Sequence, residues 1–162
     1  NMLECNGCSV IAIPSNTSHY FVDKVQQEIN IPIINMIKET VNYISSKKKN
    51  MKKVAILATD GTISVGVYQK ECMRLDIESY VPSKESQEFI MDIIYNQIKK
   101  GKIGDYDMFL KIENELKANG CDGAILACTE LSCFKEQHEL SDFYVDAMEV
   151  LVKKSIEMCS RE

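Results

Sequence analysis

Short apolar runs alternating with helix-length amphipathic stretches constrain this chain more than any other feature of its sequence. Residues 8–14, 31–35, 54–58, 77–81, 124–127 and 143–145 are apolar, rich in Ile and Val, and read as buried strands. Between them lie helical patterns at 18–28, 37–44, 65–75, 105–117, 132–139 and 149–159. Phe21, Val22, Val25 and Ile29 share one face of the first of these helices. A longer helix begins after Pro82-Ser83 and carries Phe89, Ile90, Ile93, Ile94 and Ile98 on its apolar side. Gly101 and Gly104 then punctuate the chain, and Asp105 caps the next helix. Alternation of strands and helices of this kind predicts an α/β fold, with parallel sheets flanked by helices. A chain of 162 residues holds one domain or a pair of small lobes.

Two of the strands end alike. Val10-Ile11-Ala12-Ile13-Pro14 runs into Ser15-Asn16-Thr17, and Ala124-Ile125-Leu126-Ala127 runs into Cys128-Thr129-Glu130. The carboxyl ends of parallel strands are where open α/β sheets place their ligands, so the two polar turns predict one shared site for a small molecule. One turn carries a thiol; the other carries a hydroxyl at the matching place.

Other functions are disfavoured by what surrounds this pattern. No glycine-rich dinucleotide fingerprint or phosphate loop is present. The net charge of -5 is spread along the chain, and the basic run Lys47-Lys48-Lys49, Lys52-Lys53 has no interleaved aromatics, so it reads as a solvated linker and not as a nucleic-acid surface. No window is long and apolar enough to span a bilayer. Seven scattered cysteines without a signal-peptide pattern suggest a reducing cytoplasm. Cys5-Asn6-Gly7-Cys8 has no second pair to complete a zinc site, so no metal is expected. Asn1 ahead of Met2 is read as an added residue.

Three motifs in order, Ile13-Pro14-Ser15-Asn16-Thr17-Ser18-His19, Ala58-Thr59-Asp60-Gly61-Thr62 and Ala127-Cys128-Thr129-Glu130-Leu131, resemble those of the aspartate/glutamate racemase family, with residues 31–36 matching the strand after the first. The resemblance implies two pseudo-symmetric α/β lobes with the site between them, no cofactor, and an amino-acid or dicarboxylate substrate such as aspartate or glutamate. It also implies that two cysteines take and return the α-proton from opposite faces. Here the second position is Cys128 and the first is Ser15, a hydroxyl far less acidic than a thiol. The resemblance further implies that the chain starts after the family's opening segment. The expected division is then an incomplete first lobe at 1–49, completed by 143–162, and a second lobe at 50–142. Unpartnered strand edges in such a lobe predict a homodimer or higher homo-oligomer.

The remaining site residues come from the same resemblance, each beside a plainer alternative. Cys128 is expected as acid and base, its pKa lowered by the adjoining helix start, although a buried cysteine is commonly a small core hydrophobe. Asn16, Thr17, Thr129 and Glu130 are expected to hold the substrate's carboxylate and amino group. Thr62 either joins them or is a helix cap. His19 either orients Ser15 or the substrate, or is structural. Lys99 either pairs with an acidic substrate side chain or sits on a solvated helix face. Asp146 is a site-rim residue or a helix cap. The activity implied is cofactor-independent racemisation, with single-cysteine decarboxylation, one-sided proton transfer or non-catalytic carboxylate binding as alternatives.

Overall fold

Alternation along residues 53–57 sets the layout: Val54 and Ile56 join one buried cluster and Ala55 and Leu57 another, all four without exposure. A strand buried on both faces lies inside a layer of helices on each side, which is the condition for a parallel sheet. The computed structural model describes residues 2–160, and Asn1 lies outside the described residues. Its elements are α1 (Met2–Cys5), β1 (Ile11–Ala12), a 3-10 segment (Thr17–Phe21) continuing as α2 (Val22–Gln26), β2 (Ile33–Ile34) and α3 (Met36–Lys47). Next come β3 (Lys53–Leu57), α4 (Asp60–Val65), α5 (Val67–Arg74), β4 (Glu78–Tyr80), α6 (Lys84–Asp92), a π-helical turn (Ile93–Gln97) and a 3-10 turn (Ile98–Lys100). The chain closes with α7 (Tyr106–Ala118), β5 (Gly123–Leu126), α8 (Thr129–His138), β6 (Tyr144–Asp146) and α9 (Ala147–Cys159).

Among the described residues the strands form a four-stranded sheet in the order β4-β3-β5-β6 and a two-stranded sheet of β1 and β2, every pairing parallel. The expected α/β architecture is the one observed. One face of the larger sheet packs on Met36, Val41 and Ile44 of α3, Tyr68 and Cys72 of α5 and Leu151 of α9. The other packs on Ile90 of α6, Ile93 and Ile94 of the π turn, Phe109, Ile112 and Leu116 of α7, and Phe134 of α8. The closing segment divides. β6 pairs with β5 in the larger sheet, whereas α9 lies against α3 and β2.

Three local expectations change. The stretch 18–28 is not one amphipathic helix: it opens as a 3-10 turn, Val22 is buried, and Phe21 and Val25 stand exposed because no layer covers that face among the described residues. The helix expected at 65–75 is present as α5, but an unexpected helix, α4, precedes it; Gly66, whose φ of 71° is a left-handed conformation that costs glycine little, ends α4 and makes the corner at which α5 begins. The helix after Ser83 does not run straight through; its middle widens into the π turn. Asp105 and Asp146 both act as helix caps, Asp105 accepting from the Met108 N–H at 2.9 Å and Asp146 from the Met148 N–H at 2.8 Å. No helix among the described residues is long and apolar enough to cross a membrane.

Candidate active site

Ser15 lies past the carboxyl end of β1 and Cys128 past that of β5, and the two face one cavity of about 210 Å³. Its walls also include Asn16, Thr17, Thr62, Lys99, Thr129 and Glu130, so eight of the nine residues expected at the site come together. His19 is the exception. It is 5% exposed and sits behind Ser15, with Nδ1 2.8 Å from the Ser15 carbonyl and Nε2 3.0 Å from the Met36 N–H. The Met36 N–H can only donate, so Nε2 accepts and the ring proton sits on Nδ1, donated to Ser15. His19 therefore fixes the Ser15 backbone against the start of α3 and does not reach the cavity.

Cys128 occupies the N-cap position of α8 in extended backbone, φ −153°, ψ 138°, with its carbonyl accepting from the Leu131 N–H at 3.0 Å. Its thiol does not cap the helix. It donates to Glu130 Oε2 at 2.8 Å, which also accepts from the Thr129 hydroxyl at 3.0 Å. The expectation of a lowered thiol pKa is overturned. Burial first, and then the adjoining Glu130 carboxylate, push Cys128 up to about 12; the Glu130 N–H and the Lys99 charge pull the other way and are outweighed. Burial also acts to raise Glu130, but the hydrogen bonds from Cys128, its own N–H and Thr129, with the Lys99 charge, leave it below the usual carboxylate value. At neutral pH the resting pair is a thiol beside a carboxylate.

Across the cavity the hydroxyls are linked. Thr59 caps α4 by accepting from the Thr62 N–H, and Thr62 Oγ1 lies 3.2 Å from Thr59 Oγ1 and 2.7 Å from Thr17 Oγ1. Thr62 is thus held between a residue of its own turn and one from the first polar turn. The loop carrying Thr59 is clamped from α6, where Gln87 Nε2 donates to the Ala58 carbonyl and to Asp60, each at 2.9 Å. Ser15 Oγ lies 2.8 Å from Ser18 Oγ, so the Ser15 hydroxyl is partnered by another hydroxyl, a group too weakly basic to activate it.

Lys99 reaches the cavity from the 3-10 turn that directly follows the π turn. One extra residue in that turn re-aims the side chains beyond it. The ammonium of Lys99 sits 4.1 Å from the ring centroid of Tyr95 and 3.7 Å from Glu130 Oε1. A cation, several hydroxyls and a carboxylate around so small a volume suit a small zwitterion with carboxyl groups. Pro14, Thr59, Tyr95 and Ala127 also line the cavity and were not singled out from the sequence. Two of these had signals: Thr59 stands three residues before Thr62, at cap spacing, and Tyr95 lies four residues before Lys99, at the spacing of helix neighbours.

The Asp/Glu/hydantoin racemase family model matches residues 1–154. The chain is 33% identical over 136 residues to an uncharacterised protein of Pectobacterium carotovorum, covering 82% of this chain and 89% of that protein. It is 23% identical over 154 residues to the broad specificity amino-acid racemase RacX of Bacillus subtilis, covering 95% of this chain and 66% of that one. The crystal structure of an aspartate racemase homologue from Pyrococcus horikoshii is similar with a TM-score of 0.85 and 31% identity, over 99% of this chain and 70% of that one. The chain thus spans about two thirds of the length of these last two.

Proposed function

Because this chain belongs to the Asp/Glu/hydantoin racemase family, we propose that it moves the α-proton of aspartate, glutamate or a similar amino acid without a cofactor, as a racemase does. The observation that carries the reading is that Ser15 and Cys128, from the two polar turns, line one small polar cavity. Cys128 is the proton-transferring group on one face of the substrate and Ser15 stands in the partner position on the other. Asn16, Thr17, Thr62 and Thr129 hold the α-carboxylate, and Lys99 meets an acidic side chain.

An α-proton is a very weak acid, so the site must work by placement and by stabilising the charge that develops. Glu130 is the first acceptor: it takes the Cys128 proton, and the thiolate then removes the α-proton. The C–H electron pair passes to the α-carbon and spreads into the neighbouring carboxylate, where the hydroxyl and amide donors balance the growing charge. Return of a proton from the opposite face needs a donor there. Ser15 O–H supplies one; the resulting alkoxide is refilled from solvent through Ser18, and Glu130 releases to solvent the proton it took from Cys128, which restores the resting pair. The reverse direction would start from a serine alkoxide, which is far less accessible than a thiolate.

This asymmetry predicts unequal exchange. In deuterium oxide, NMR of the α-proton should show wash-in for both enantiomers of the substrate, faster for the one that presents its proton to Cys128, and no wash-in for either with Cys128→Ala. Exchange into one enantiomer alone would replace racemisation by a single-faced transfer. Tight dicarboxylate binding with no exchange at all would replace catalysis by binding.

A further inference from the structure

Asn16 is 5% exposed and lines the cavity, yet its side chain makes no cap bond to the 3-10 segment it precedes. Its carbonyl oxygen instead accepts a 2.6 Å hydrogen bond from the hydroxyl of Tyr68, a residue of α5 with no exposure. Tyr68 therefore cannot touch a ligand. We propose that Tyr68 is a positioning residue that decides which end of the Asn16 carboxamide faces the cavity. The proposal rests on the reading of the cavity as a site for an amino-acid carboxylate.

The two ends of a carboxamide are nearly the same size and opposite in sense, one an acceptor and the other a double donor. Packing alone does not choose between them; a hydrogen-bond partner does. A carboxylate in the cavity needs the donor end, and a wrongly turned amide would set oxygen against oxygen. Tyr68 makes the choice from behind. Thr40 also neighbours the phenol, but its own proton goes to the Met36 carbonyl at 2.7 Å, and the hydrogen bond that the phenol proton makes is the one to Asn16. Burial, the largest influence on this phenol, raises its pKa, so it remains a donor throughout the physiological range. With the oxygen end engaged by Tyr68, the NH₂ end is the one left for the cavity. The bond also joins residues 52 positions apart, tying the turn that carries Ser15 to the helix layer of the larger sheet.

The test is Tyr68→Phe, which keeps the ring in the core and removes only the hydroxyl. Nuclear Overhauser contacts from the Asn16 side-chain amide protons to the surrounding side chains report the orientation without any ligand, and succinate titration or the KM for turnover reports its use. The expected result is loss of a single set of amide contacts, with affinity for the dicarboxylate about tenfold weaker, the worth of one buried hydrogen bond, and kcat changed less. In the Asn16→Ala background, adding Tyr68→Phe should cost no further affinity, because Tyr68 acts through Asn16 alone. Unchanged amide contacts in Tyr68→Phe, or a loss that adds in full to that of Asn16→Ala, would overturn the proposal. Should Tyr68→Phe not fold, Asn16→Asp gives the same decision: it keeps an oxygen for Tyr68 but turns another toward the cavity, so succinate binding should vanish while the melting temperature holds, and retained binding would overturn the proposal. If the amide contacts respond as expected while the wild-type protein neither binds succinate nor exchanges an α-proton, it is the carboxylate-site reading that fails, and the positioning role stands.

Discussion

Glu130 is where one side chain carries two opposing demands. It accepts the Cys128 thiol proton, which raises the thiol's pKa, and it is itself held ionised by that bond and by Lys99. Glu130→Gln removes the charge and keeps the shape. Alkylation of the Cys128 peptide, read by mass spectrometry, should then show its midpoint move down from about 12, while burial keeps it above the ordinary thiol value of 9.0. Exchange activity should fall even so, because the acceptor for the thiol proton is gone. A midpoint that does not move would mean that burial alone sets the thiol's state. At the facing position, Ser15→Cys should bring the two enantiomers' exchange rates closer together, since a thiol supplies the base that a hydroxyl lacks.

Single elements carry the next set of consequences. The π turn carries Tyr95 and the 3-10 turn after it carries Lys99 to the cavity wall, where the Tyr95 ring holds the ammonium. Tyr95→Leu should raise the KM for a dicarboxylate while leaving a neutral amino acid almost unaffected, and Tyr95→Phe, which keeps a ring face, should behave like wild type. On the far side of α6, Glu115 of α7 accepts from the Tyr80 hydroxyl at 2.9 Å, the Ser83 N–H at 2.7 Å and the Ser83 hydroxyl at 2.6 Å, and from the Ser86 hydroxyl. Burial works to raise Glu115, yet these bonds together leave it below its ordinary 4.5. A lowered folded-state value means that the stabilisation is complete above 4.5 and is lost as pH falls through the lowered value. Chemical unfolding of Glu115→Gln should show lower stability at neutral pH and a flatter decline below pH 4.5 than wild type.

For the molecule as a whole, the larger sheet is the frame on which the Cys128 wall of the cavity depends. β5 delivers Cys128, and its first residue, Gly123, has no room for a side chain: an added Cβ would lie 2.6 Å from Met51 Cε and 2.9 Å from the Phe143 carbonyl oxygen. The methionine can yield but the carbonyl cannot, because it already accepts the Ala124 N–H at 2.9 Å. Gly123→Ala should therefore destabilise the fold by about 1–3 kcal/mol in denaturant titration, the usual cost of overpacking a core. Tyr20, Phe21 and Val25 stand exposed beside the smaller sheet, and the homo-oligomer expected from the sequence would be read directly by sedimentation velocity. A monomer at all accessible concentrations would remove that expectation.

What the sequence determined by itself was the part governed by near neighbours. The unbroken apolar run Val54-Ala55-Ile56-Leu57 carries a strand buried on both faces, and the turns Ser15-Asn16-Thr17 and Cys128-Thr129-Glu130, which line one cavity, were legible because strand ends are local features. Caps such as Asp105 and Asp146 were legible for the same reason. Tertiary structure decided everything that depended on distant residues or on dielectric. Whether Cys128 is thiol or thiolate turns on how much water it has lost and on where the Glu130 side chain swings, and neither is written in their spacing. His19 left the cavity because the Met36 N–H needed an acceptor, and Asn16 was oriented by a phenol 52 residues away. Hydrogen bonds and desolvation act through space, so only the folded chain brings those partners within reach of one another.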